Sequence, residues 1–77
     1  MEHRFKLYDT VAIKARPGRT GKIVFIELHG TVNRYLLNCY PGALGHYDWC
    51  IYTDETGKER TEALNWFNED ELDESSV

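Results

Sequence analysis

Cys39, His46 and Cys50, with His29 upstream, are the side chains of this 77-residue chain best suited to ligating a metal. Zinc takes four nitrogen or sulfur ligands, and structural sites draw them in pairs two to four residues apart. The spacing here is Cys-x6-His-x3-Cys, with no Cys-x-x-Cys knuckle. The plainer reading makes Cys39 and Cys50 small apolar groups facing each other across a hairpin centred on Leu44. Cys39, His46 and Asp48 also supply the types of a nucleophile, a base and an orienting group. No strand-to-helix elbow surrounds them, and so short a chain has little room for a deep pocket. The expectation is therefore a protein without catalytic activity, cofactor or metal.

A second chemistry lies in the charges. Lys14, Arg16, Arg19 and Lys22 cluster around one turn, a patch of the kind phosphate contact requires, and Tyr8 and Tyr35 could offer stacking surfaces. Residues 1–22 hold six basic and two acidic residues, whereas residues 23–77 hold three basic and eleven acidic ones. The net charge of −4 and a pI near 5.2 oppose a polyanion at long range. The basic head and acidic tail could also neutralise each other. The carboxylates from Glu69 to Glu74 lack the Asp-x-Asp-x-Asp-Gly pattern of a calcium loop and read as a solvated surface.

A third chemistry is recognition by aromatic rings. Tyr40, Tyr47, Trp49, Tyr52 and Trp66 exceed what so small a core can hide, and partly exposed Tyr and Trp are typical interface anchors. The preferred reading is a non-catalytic protein-binding module or accessory or regulatory subunit. Its expected contact residues are Tyr47, Trp49, Trp66, Glu69, Asp70 and Glu71. The acidic surface also suits an inhibitor that mimics DNA. The alternative is a domain that binds RNA or DNA through Lys14, Arg16, Arg19 and Lys22.

These residues must be positioned by strands. Gly21 to Leu28 is the most apolar run, rich in β-branched and aromatic residues, and reads as the central strand. Alternation places Val24, Ile26 and Leu28 on one face and Ile23 and Phe25 on the other. Thr10–Ala15 reads as a first strand with Val11 and Ile13 inward, followed by a Pro17-Gly18 turn in which Gly21 is a candidate for positive φ. A break at His29-Gly30-Thr31 precedes a third strand over 33–40, with Tyr35, Leu37 and Cys39 on one face. Asp48–Thr53 is a fourth strand, 54–58 a turn, and 59–64 a short fifth strand, with a helix over 60–67 as the alternative. Asn68 to Leu72 has the form of a capping box, with Leu72 tucked under the barrel and Asp73 to Val77 frayed.

Five short strands with turns every 8–12 residues suggest a single all-β domain over 1–77, a small barrel ordered from about 5 to 73. At this size one core yields roughly 3–5 kcal/mol, so nearly every large apolar residue should be in use. The N-terminus has no apolar signal segment, and no run approaches the roughly 20 apolar residues of a membrane span. A cytoplasmic protein with reduced thiols, and no membrane partner, is the expectation.

The layout resembles SH3-like barrels at three places. Tyr8-Asp9-Thr10-Val11-Ala12-Ile13 is similar to their opening Gly-Asp-x-Val-x-Val strand, with Tyr8 where that pattern has Gly. Gly21-Lys22-Ile23-Val24 resembles the start of the second strand in KOW motifs. Trp66 to Leu72 resembles the acidic end of several such domains. The small photosystem I accessory subunit and the variable chain of ferredoxin–thioredoxin reductase are similar at head, centre and tail; residues 41–65 depart from them as a longer, Trp-bearing hairpin. The resemblance implies an SH3-like five-stranded small barrel with a short C-terminal helical turn, Tudor- or KOW-like in layout. KOW-like barrels use the first loop on RNA, so the same likeness also points to Lys14, Arg16 and Arg19.

Overall fold

The computed structural model describes residues 4–38 and 48–74. Six strands form one antiparallel sheet: β1 (Thr10–Ile13), β2 (Thr20–His29), β3 (Val32–Asn38), β4 (Asp48–Thr53), β5 (Glu59–Asn68) and β6 (Leu72–Glu74). Their order across the sheet is β4-β5-β3-β2-β1-β6. The sheet does not close: among the described residues β4 and β6 each pair on one side only. Five strands in a closed barrel were expected, and both features are corrected. The fifth strand runs on through residues 65–68, pairing first with β4 and then with β3. The chain then resumes pairing as β6. The helical alternative for 60–67 fails because alternate residues of β5 serve opposite faces. Leu64 and Trp66 pack on one side of the sheet and Phe67 on the other, which a 3.6-residue period would not allow.

Those two faces bury separate clusters. On the first, Val11, Ile13, Ile23, Tyr35, Leu37 and Leu72 are all buried, joined by Phe5 and Phe67. On the second, Val24, Leu36, Tyr52 and Leu64 pack together, with Cys50 and Trp66 against them. The expected phase of β2 is broken between Ile23 and Phe25, where the register to β3 slips. Ile23 pairs with Leu37, yet Phe25 pairs with Leu36, so Val24 is an extra residue in the ladder. The consequence is that Ile26 joins Ile23 on the first cluster, not Val24 on the second. Leu28, placed by alternation on one face with Val24 and Ile26, is half exposed near the strand end. A bulge lets one strand feed two cores, because a one-residue slip turns every later side chain over.

The turns are set by a few backbone conformations. Gly18, at φ 83°, takes the left-handed position in the first turn; Gly21, expected there, instead pairs opposite Val11 as ordinary strand. Gly30, at φ 66°, starts the two-residue loop between paired His29 and Val32, the glycine-first arrangement suited to a tight hairpin. Tyr8 alone among the described non-glycine residues has positive φ, at 70°. Its N–H donates to the Ile23 carbonyl at 2.7 Å and its hydroxyl to the Thr53 carbonyl at 2.9 Å, so both ends of the residue are held.

The C-terminal turn forms as its sequence indicates. Glu69–Glu71 is one 3-10 turn, and the Asn68 N–H donates to Glu71 Oε1 at 2.8 Å within a capping box. Leu72 follows, fully buried and paired with Ile13. Asp73 and Glu74, expected to fray, continue as strand opposite Ala12 and Val11. No helix among the described residues is long and apolar enough to cross a membrane.

Truncating Leu72 leaves a hole where β6 meets the first cluster, so Leu72→Ala should cost about 2–5 kcal/mol. Ile51→Ala, at a side chain 69% exposed, should stay within about 0.5 kcal/mol. Urea unfolding of both variants followed by tryptophan fluorescence checks the contrast.

Candidate functional site

The hairpin of β4 and β5 sorts its residues by period two. Tyr52 is buried on the second cluster and Cys50 packs against it, so Trp49 and Ile51 must face the other way. On that face Trp49 is 72% and Ile51 69% exposed. Their cross-strand neighbours are Ala63 and Thr61, side chains too short to cover them. Two large apolar groups thus stand side by side on an edge strand.

Further along the same face of β5 lie Asn65 and Phe67. Together with Trp66 between them, they line a cleft of about 500 Å³ whose other wall is Ile13 and the β1–β2 loop, with Lys14 and Arg16 at its rim. Glu71 also borders it, but its Oε1 accepts the Asn68 N–H and its carbonyl accepts the Lys14 N–H at 3.1 Å.

The other expected contact residues are divided. Trp66 is half-buried on the opposite face, with the Arg34 guanidinium 4.8 Å above its ring and Phe25 edge-on at 6.3 Å. Glu69 accepts from the Tyr35 hydroxyl and from the Arg4 N–H at 2.6 Å. That phenolic donor, above all, holds the Glu69 carboxyl below its ordinary range. Asp70 is exposed, and Tyr47 lies outside the described residues. Cys39 and His46 lie outside them too, so the metal and nucleophile sets are not brought to view. Among the described residues no three His, Cys, Asp or Glu side chains form a metal-holding group. Ile51 was not singled out from the sequence, although alternation along 48–53 puts it beside Trp49.

The basic residues do not act as one patch. Lys22 pairs with Glu55, and Arg4 of the head reaches Asp73 of the tail at 3.1 Å. Lys14, Arg16 and Arg19 have no carboxylate within ion-pair distance among the described residues. Lys22 also lines a smaller cleft of about 240 Å³ under the hairpin tip, with Tyr8, Tyr52, Asp54, Arg60 and Glu62. Here the polar groups bind one another. Tyr52 donates to Glu62 at 3.0 Å, and Arg60 Nε donates to Asp54 Oδ2. The Asp54 carboxyl is held well below its ordinary range, first by Arg60 and then by Thr56. Comparison of the chain with protein-family models, with curated proteins and with solved structures finds no match.

Two phenols are pushed up to about 12 by burial, reinforced by the carboxylates they donate to: Tyr35 by Glu69 and Tyr52 by Glu62. In the unfolded chain both ionise near 10. The unfolded state therefore loses protons first, and the two phenols' contribution to stability is constant below about pH 9 and falls as pH rises from 10 towards 12. Unfolding free energies measured from pH 8 to 11.5 should show this decline, and a Tyr35→Phe, Tyr52→Phe double variant should show a flatter one. At pH 7, Tyr35→Phe should cost about 1–2 kcal/mol, because Glu69 loses its buried donor.

Proposed function

We propose that this chain is a non-catalytic protein-binding module, an accessory or regulatory subunit, on an open sheet of SH3-like connectivity to which β4 is added as an extra edge strand. Two features support the SH3-like part. The chain passes through one 3-10 turn after a long strand and returns to pair with β1. Tyr8 takes the left-handed backbone at the position where the SH3-like pattern carries Gly.

The observation that carries the binding role is the adjacent exposure of Trp49 and Ile51 on β4. A chain this small needs its apolar residues inside, so leaving a tryptophan and an isoleucine together in water sacrifices burial that folding could have used. Such pairs serve as anchors that become buried against a partner. The charged groups of the smaller cleft already pair with one another, which fits a structural role better than turnover of a substrate.

A second reading has one observation of its own. Lys14, Arg16 and Arg19 stand exposed without carboxylate partners among the described residues, as an RNA- or DNA-binding loop would need, although Lys22 is engaged with Glu55.

The tagged protein should retain a defined protein from nuclease-treated host extract. Trp49→Ala should weaken binding to that purified partner by about 2 kcal/mol, read by calorimetry, with the far-ultraviolet spectrum unchanged. Recovery lost on nuclease treatment, with retention that falls steeply with salt and fails for Arg16→Ala with Arg19→Ala, would establish the second reading instead.

A further inference from the structure

We infer that the cleft between the β1–β2 loop and the C-terminal half of β5 takes an extended peptide bearing an apolar side chain flanked by carboxylates, and that this peptide continues onto Trp49 and Ile51. The inference rests on the protein-binding reading and specifies the partner's chemistry. The cleft has about 500 Å³, within the roughly 300–1,000 Å³ of sites that hold small ligands or side chains. Trp66 and Ala15 supply its open apolar lining, at the edge of the buried Ile13 and Phe67. Lys14 and Arg16 supply its charge.

Charge complementarity selects the occupant. The two rim cations have no carboxylate within ion-pair distance among the described residues. The carboxylate that borders the cleft, Glu71, is turned to the Asn68 N–H and closes the capping box. Lys14 also acts on Asp73 through space, but no carboxylate of the described residues contacts either cation, so a negative side chain arriving from outside meets them unpaired. A nucleic acid suits the place less well. Asp70, Asp73 and Glu74 are exposed just beyond Glu71, where a repeating phosphate backbone would have to run. An isolated carboxylate beside an apolar anchor avoids that repulsion.

The path out of the cleft passes beyond Phe67 and Asn65, whose side chains are buried, before it meets the open part of β5 at Ala63 and Thr61. From Phe67 through Asn65 and Ala63 to Thr61, one face of β5 advances six residues, about 20 Å. Trp49 stands opposite Ala63 and Ile51 opposite Thr61. An extended segment of about six residues covers that length, with its anchor in the cleft and its other end against the two exposed apolar side chains.

The test is selection of a randomised decapeptide library on the immobilised full chain, and on a Lys14→Glu, Arg16→Glu variant whose folding is verified by circular dichroism. Wild type should enrich peptides with Asp or Glu flanking Leu, Ile or Phe, and these should survive an excess of a 12-residue oligouridylate. The variant should bind those peptides at least about tenfold more weakly and enrich Lys or Arg in their place. No enrichment, the same preference on both proteins, or displacement by the oligouridylate overturns the inference. If the charge reversal leaves the natural partner bound while Trp49→Ala releases it, the cleft assignment fails and the binding-module reading stands. If neither variant loses the partner, both fail.

Discussion

A buried phenol must keep its hydroxyl paired, and in this protein that demand falls on Tyr35. The residue is fully buried in the middle of β3, with Phe5 edge-on to its ring at 5.5 Å. Its hydroxyl donates to Glu69 of the 3-10 turn and lies 3.4 Å from the Phe5 N–H, which donates to it. One side chain thus gathers the chain's start, its centre and its end. Arg4 adds a second tie between the ends, through Glu69 and Asp73. An unpaired hydroxyl at that depth would forfeit about 1–3 kcal/mol, a large part of what so small a core supplies. The position of the 3-10 turn is therefore tied to Tyr35 as much as to its own capping box.

The bulge at Val24 is the second organising feature. Without it β2 would serve each cluster with a strictly alternating set, and Ile26 would lie on the same side as Val24. With it, Ile23 and Ile26 complete the first cluster while Val24 meets Leu36 and Tyr52 on the other face. The second cluster draws the β4–β5 hairpin over the sheet, held at its tip by Tyr8 to Thr53 and Lys22 to Glu55. Covering that face with Tyr52 and Cys50 turns Trp49 and Ile51 outward. Their exposure is a direct result of which side of the hairpin the second core occupies.

The charge split along the sequence becomes a local arrangement in space. Arg4 and Lys22 of the basic head are matched by Asp73 and Glu55, whereas Lys14, Arg16 and Arg19 of the first loop are left facing water. Most acidic groups of the 3-10 turn have internal duties: Glu69 accepts from Tyr35 and Arg4, and Glu71 from Asn68. A chain of net charge −4 thereby keeps a small cationic rim beside an apolar cleft, on the same side of the sheet as its exposed tryptophan.

Local rules made much of this legible in the amino-acid order. The bounds of Asp48–Thr53, the inward Val11 and Ile13, the shared face of Tyr35 and Leu37, and the capped turn ending in buried Leu72 all follow from alternation and capping. These depend on neighbours a few residues apart, so the sequence determined them, and alternation along β4 put Trp49 and Ile51 on one face without saying which face is outward. Only the tertiary structure decided that β5 runs ten residues, that Val24 bulges, that Trp66 lies under Arg34 and that β6 pairs with β1. Each depends on a partner brought close from far along the chain. A strand's length, phase and exposed face are fixed by what packs on both its sides, and periodicity along one segment carries no record of that.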